Sequence, residues 1–144
     1  MEISNKRAYF NYFIEKEIEA GLVLTGTEIK AVRQGSVDLK DAYVKIKDNE
    51  ALVINMYIAK YEEGNRFNHE ERATRKLLLH KNEIIRLSSD INREGYTIIP
   101  LKMYLKNGFA KLLIGVGKGK HLYDKRQVIK ENDLKKEARN KHEY

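Results

Sequence analysis

The chain of 144 residues contains no cysteine and no tryptophan, a single proline (Pro100) and only four serines. Without cysteine there can be no disulfide, no thiolate nucleophile and no cysteine-ligated zinc, a composition at home in a reducing compartment. No apolar run approaches the roughly 20 residues needed to span a bilayer. The opening Met1-Glu2-Ile3-Ser4-Asn5 is not a basic start leading into an apolar stretch, so no signal peptide is read there. The expectation is a cytoplasmic protein with no membrane partner. Conventional catalytic patterns are missing as well. His69, His80, His121 and His142 stand in no metal-ligand spacing, and none of Ser4, Ser36, Ser88 and Ser89 sits in a nucleophile elbow. Gly115-Val116-Gly117-Lys118-Gly119-Lys120 has the look of a phosphate loop but not its spacing, and it reads instead as a flexible strand exit. Glu17, Glu19 and Glu28 read as solvated or salt-bridged carboxylates rather than an acid–base pair. No catalytic residue, metal or cofactor is expected.

What the chain has is charge. Asp, Glu, Lys and Arg make up 34% of it and the net charge is +7. Residues 111–144 carry ten Lys or Arg against five Asp or Glu, whereas residues 1–110 carry eighteen against sixteen, so the excess sits in the last quarter. Such a balance suits a phosphate-rich partner, and equally a merely basic housekeeping domain.

Alternation of period two predicts strands. Ala42, Val44 and Ile46 face one way, Asp48-Asn49 turns the chain, and Leu52, Ile54, Met56 and Ile58 share a face on the return. A second hairpin places Ile99, Leu101, Met103 and Leu105 on one face, turns at Asn107-Gly108, and returns with Ala110, Leu112, Ile114 and Val116. Phe10–Ile14, running on towards Leu24, and Arg75–Leu79 are further strand candidates. Thr25-Gly26-Thr27-Glu28 matches a capping box for a helix that buries Ile29 and Val32, shows Lys30 and Arg33, and stops at Gly35. A second helix is predicted over 81–88, burying Ile84 and Leu87. The fold class expected is mainly β: an OB-like closed antiparallel barrel of about six strands with two or three short helices. A mixed α+β sheet is the alternative. The domain spans 1–123, and 124–144 forms a basic tail. That tail has neither Gly nor Pro, and its only apolar residues between 127 and 143 are Val128, Ile129, Leu134 and Ala138, too few to hold a lone helix in water. It is expected to be disordered when free and helical against a partner.

Three basic clusters stand beside rings or turns. Asn5-Lys6-Arg7 precedes Tyr9, Phe10, Tyr12 and Phe13, and fits either phosphate contacts with base stacking or a solvated arm before core aromatics. Arg72, Arg75 and Lys76 fit either a phosphate clamp or a solvated loop. Residues 117–126 hold Lys118, Lys120, Lys125 and Arg126 with His121 and Tyr123, opposed only by Asp124, and read as an RNA contact.

Seven segments taken in order resemble one family. They are Asn5-Lys6-Arg7-Ala8 with Tyr12-Phe13-Ile14-Glu15; residues 19–30 from Glu19-Ala20-Gly21 to Glu28-Ile29-Lys30; Arg33-Gln34-Gly35; Leu39-Lys40-Asp41-Ala42-Tyr43-Val44; residues 72–79; Arg93-Glu94-Gly95-Tyr96; and residues 119–126. Together they resemble the SmpB family, the SsrA-binding proteins. The resemblance implies an OB barrel and a non-catalytic role: binding the tRNA-like domain of transfer-messenger RNA and delivering it to stalled ribosomes in trans-translation. It implies that Asn5, Glu19, Lys30 and Arg33 lie at the RNA face, which the cluster reading extends to Lys6, Arg7, Arg75, Lys118 and Lys120. Ribosome contacts would come from Tyr123, Asp124, Lys125 and Arg126 and from Lys130, Lys135, Lys136 and Arg139 of the tail, entering the decoding centre and empty messenger channel of the small subunit. Departures from the family pattern are Phe10 and Tyr123, where relatives carry His, and His121, where a Lys is usual. Nothing in the chain points to an obligate dimer. A generic OB-type binder of single-stranded nucleic acid is the competing function.

Overall fold

The computed structural model describes residues 2–120, with the side chains of 64–66 left aside, and the tail residues named above, Tyr123 through Arg139, lie outside the described range. Among the described residues nine strands, three α-helices and one 3-10 helix (Glu62–Phe67) follow one another. The strands are β1 (Glu2–Ser4), β2 (Tyr12–Leu22), β3 (Val37–Asp38), β4 (Tyr43–Lys47), β5 (Glu50–Ile54), β6 (Tyr57–Ile58), β7 (Arg75–Leu78), β8 (Tyr96–Lys106) and β9 (Phe109–Gly119); the helices are α1 (Ala8–Asn11), α2 (Gly26–Arg33) and α3 (Lys81–Ile91). Seven strands form one antiparallel sheet in the order β1-β8-β9-β2-β7-β5-β4, and β3 pairs with β6 apart from it.

Both predicted turns are present. Asp48 and Asn49 have φ of 51° and 63°, and Asn107 and Gly108 have 51° and 81°, the left-handed pairs that let a two-residue turn follow strand twist. The capping box is also as read. Glu28 N–H donates to Thr25 Oγ1, and Glu28 Oε1 accepts from Thr25 N–H at 2.8 Å. Gly35 leaves α2 at φ 75°.

The closed barrel is corrected to an open sheet. The sheet curls until β4 lies beside β8, yet β1 and β4 remain its two edges. The outer edge of β8 is already taken. β1 pairs with residues 102–104, Asn5 N–H donates to Leu101 O at 2.8 Å, and Asn5 Nδ2 donates to Pro100 O at 2.9 Å. Pro100 itself has no N–H to offer a ladder.

The face assigned to Ile99, Leu101, Met103 and Leu105 is also corrected. Register shifts between Pro100 and Lys102 on β8 and between Ile14 and Lys16 on β2, so each strand carries one extra residue opposite β9. An extra residue exchanges the two faces of a strand from that point on. Ile98 and Met103 therefore join the main core with Leu112, Ile114 and Val116. Ile99 and Leu101 turn to the opposite face and pack with Ala8, Tyr12, Ile14 and Leu113. The start of the Phe10–Ile14 strand is replaced by α1, whose Ala8 roofs this second cluster. The glycines of β9 are not a flexible exit. A Cβ on Gly115 would stand 2.8 Å from Leu101 Cδ1, and one on Gly117 3.0 Å from Ile14 Cδ1, so their bare backbone makes room for the second cluster.

Candidate nucleic-acid interface

The second cluster fixes the N-terminal arm against the end of β9. Tyr12 stands opposite Gly119 and Phe13 opposite Lys118. Ala8 is buried and Tyr12 packs beside it, while several other side chains of the arm are open to solvent. Lys6 and Arg7 are exposed, and Tyr9, Phe10 and Phe13 are 47%, 67% and 61% exposed. Single exposed rings are ordinary, but three within five residues form a patch. Cations interleave with it. Lys120 Nζ lies 4.7 Å from the Phe13 ring centre and donates to Tyr9 O at 3.2 Å. Lys118 Nζ lies 6.0 Å from the Tyr96 ring centre. Arg93 stacks on Tyr96 at 3.7 Å while its fork holds Glu15 at 2.8 and 3.0 Å. Rings for stacking beside cations for phosphate are the combination used on unpaired nucleic acid.

Glu19 is on the same strand as Phe13, roughly 20 Å away at the rise of an extended chain. It accepts from the Tyr104 hydroxyl and faces Lys106 Nζ at 3.6 Å. The Tyr104 hydrogen bond holds its carboxyl below the usual carboxylate range, so Glu19 presents a fixed negative charge. Lys30 and Arg33 form another exposed pair on the outer side of α2, with Lys30 Nζ 5.4 Å from the Tyr61 ring centre.

Two predicted contacts are placed differently. Arg75 is 4% exposed. Its Nε meets Glu28 Oε2 at 2.5 Å, one terminal nitrogen donates to Met56 O at 2.6 Å, and the other donates to Glu70 O and Glu71 O at 3.0 and 3.2 Å. It is an internal strut between β7 and α2, not a surface cation open to phosphate. Asn5 spends its amide donor on the Pro100 bulge, so its first role is to hold the arm on β8. Among the other predicted residues, Lys118 and Lys120 lie beside the arm at Phe13, Lys6 and Arg7 are exposed on the arm itself, and Glu19, Lys30 and Arg33 lie on β2 and α2 away from its tip.

Sequence reasoning singled out neither Arg93 and Tyr96 nor Lys40 and Asp41 as site residues. The last two line a cleft of about 360 Å³ with Asn5, Arg7, Asn11 and Tyr12. The signal is faint: both pairs sit in segments that resemble the family, 39–44 and 93–96, without a basic run around them. Among the described residues, no three His, Asp or Glu side chains stand together as a metal site, and no helix is long and apolar enough to cross a membrane.

Two phenols offer a test of this geometry. Tyr9 is raised to about 12 chiefly by its hydrogen bond to Glu17, and Tyr104 to about 12 by burial and then by Glu19. A raised folded value favours the neutral phenol, so their contribution to stability is complete below pH 10 and is lost as pH climbs through 12. Phenolate absorbance of the native protein should show a late component near pH 12 that vanishes in the Tyr9→Phe/Tyr104→Phe variant. A wild-type titration without that component would contradict the two hydrogen bonds.

A protein-family model described as SmpB protein matches residues 2–144. The chain is 55% identical over 134 residues to the SsrA-binding protein of Anoxybacillus flavithermus, covering 93% of this chain and 87% of that one. It is 56% identical over 133 residues to the SsrA-binding protein of Bacillus pumilus, covering 92% and 85%. A solved structure described as "tmRNA-SmpB: a journey to the center of the bacterial ribosome" superposes with a TM-score of 0.71 at 42% identity, over 83% of this chain and 84% of that one.

Proposed function

The chain belongs to the SmpB family, and on that premise we propose that it binds transfer-messenger RNA and delivers the tRNA-like domain to stalled ribosomes for trans-translation. The observation that carries this reading is the surface where Phe10 and Phe13 lie open beside Lys118 and Lys120, at the point where the chain runs on into residues 121–144. Lys6, Arg7, Lys118 and Lys120 neutralise phosphates, and the rings stack on unpaired bases. Lys30 and Arg33 provide a separate phosphate contact, and Glu19 accepts from base or ribose donors. Asn5 and Arg75 serve the binding face from within, by holding the arm and α2. The segment from Tyr123 to Arg139 enters the vacant messenger channel, where RNA phosphates offset the cost of ordering it into a helix. Delivery of an RNA needs no bond made or broken by the protein.

The exposed rings also suit a generic binder of single strands, so the test must separate the two. The full chain is titrated with the tRNA-like domain and with unstructured RNA of equal length, at low and high salt. The folded domain is expected to bind at least about tenfold tighter, a difference of about 1.4 kcal/mol, and to keep that margin as salt rises. Equal and equally salt-sensitive binding would leave a non-specific electrostatic binder.

A further inference from the structure

We infer that the cleft beside the N-terminal arm takes one unpaired nucleotide of a single-stranded RNA stretch, with guanine as the favoured base. The inference rests on the RNA-binding reading and adds a specific slot to it. At about 360 Å³ the cleft lies near the lower end of the roughly 300–1,000 Å³ seen for small-ligand sites. That suits one nucleotide and excludes a base pair. Beside apolar Ala8, Ala42 and Ile99 and the committed amide of Asn5, its lining includes four unspent polar side chains. Among the described residues, the side chains of Arg7, Asn11 and Lys40 make no hydrogen bond or ion pair within the protein, and neither does the carboxylate of Asp41. Unengaged side chains of both charges lining one cleft leave their pairing to a ligand.

The cleft wall is also held in place. Asp41 has φ 66° and Asn55 has φ 62°, conformations uncommon for residues other than glycine. They are tied in series. The Arg72 guanidinium, stacked 5.3 Å from the Tyr57 ring centre, donates to Asn55 O and Oδ1 at 3.1 and 3.3 Å. Asn55 Nδ2 donates to Asp41 O at 3.2 Å. The turn is closed by Ala42 N–H donating to Leu39 O at 3.2 Å. Arg72, Tyr57, Asn55, Leu39 and Ala42 thus maintain a backbone whose evident product is the presentation of Lys40 and Asp41 to the cleft.

The mixture of charges selects the ligand. A bare phosphate ion would meet Arg7 and Lys40 but also the Asp41 carboxylate, which repels it. A nucleotide separates the two requirements, its phosphate going to the cations and its base to the carboxylate. Guanine alone among the four bases places two N–H donors, N1–H and the 2-amino group, side by side on its Watson–Crick edge, matching both carboxylate oxygens. The neighbouring O6 accepts from an amide such as Asn11, and Tyr12 supplies a ring beside the base.

The test uses the full chain and labelled pentauridylates whose central base is guanine, hypoxanthine, adenine or cytosine, followed by fluorescence anisotropy. The wild type is expected to bind the guanine pentamer about tenfold tighter than the adenine or cytosine ones, with hypoxanthine, which lacks the 2-amino group, between. Asp41→Asn keeps a residue that tolerates positive φ, so the turn survives while the guanine preference collapses. Arg7→Ala should weaken all four pentamers alike and reduce the salt slope by about one unit. Equal binding of the four by the wild type, a guanine preference that persists in Asp41→Asn, or tighter binding of free guanosine monophosphate than of the pentamer would each overturn the slot. The tRNA-like domain is titrated in parallel. Tight binding there with indifferent pentamers removes the slot alone, whereas weak binding there removes the RNA-delivery reading beneath it.

Discussion

Arg75→Met is expected to cost about 3–5 kcal/mol of folding stability, the range for breaking one side of a buried ion pair. The loss exceeds that of one contact because the guanidinium serves a carboxylate and three main-chain carbonyls. Without it Glu28, 3% exposed, keeps a buried charge with no counter-charge. A domain of this size holds only about 5–15 kcal/mol in all, so the variant should unfold at a much lower urea concentration. The Arg75→Met/Glu28→Leu double variant should regain part of the loss, since no buried charge then remains. Recovery is incomplete because Glu28 Oε1 also accepts from Thr25 N–H in the cap of α2. Urea denaturation of the three proteins decides it: a single-variant loss under about 1 kcal/mol would mean that Arg75 is not the strut its contacts describe.

Removing residues 124–144 is expected to abolish trans-translation while changing affinity for the tRNA-like domain by less than about tenfold. The segment carries seven Lys or Arg and five Asp or Glu, so it brings only +2 of the chain's +7. Its contribution to long-range attraction is correspondingly small, and the arm, α2 and the end of β9 all remain. Its acids and bases instead suit pairs four apart, such as Glu131 with Lys135 and Glu137 with Lys141, which support a helix once docking meets the ordering cost. A peptide-tagging assay beside an RNA titration separates the two effects. Tagging that survives truncation would refute the channel-docking role of the tail, and RNA binding lost with it would place the RNA face in the wrong part of the chain.

What could be read in advance follows from how local each signal is. Asp48-Asn49 and Asn107-Gly108 announce their turns because left-handed backbone favours those residue types. Thr25 and Glu28 announce the start of α2 because both halves of the box lie within four residues. The bulges in β2 and β8 carry no such mark. Glu15 and Leu101 are ordinary strand residues, and only pairing with β9 reveals that each is one too many. That hidden residue is why Leu101 and Met103, two apart in an alternating run, end on opposite faces. The alternation over Phe10–Ile14 predicts a strand from its start, but only Tyr12 and Ile14 pack inward; Phe10, 67% exposed, belongs to α1. Arg75 looked like a surface cation because it stands between Arg72 and Lys76. The residue that buries it, Glu28, lies 47 positions away. The family resemblance reached the function, but it could not separate residues that face a ligand from residues that hold the facing ones in place.

The two bulges have a consequence for how the domain comes apart. β9 is paired along most of its length on both sides, and its alternate residues belong to different cores, Leu112 and Ile114 to one and Leu113 to the other. Neither core can open without breaking the ladder that the other needs. The arm bearing Lys6, Arg7 and the exposed rings, though it rests on a cluster with only three fully buried members, is thereby tied to the unfolding of the whole domain rather than free to peel away. Amide protons of β9 should accordingly exchange with solvent only through global opening. A small satellite packing thus gains the lifetime of the large core beneath it, and with it a binding surface that keeps its shape between one RNA and the next.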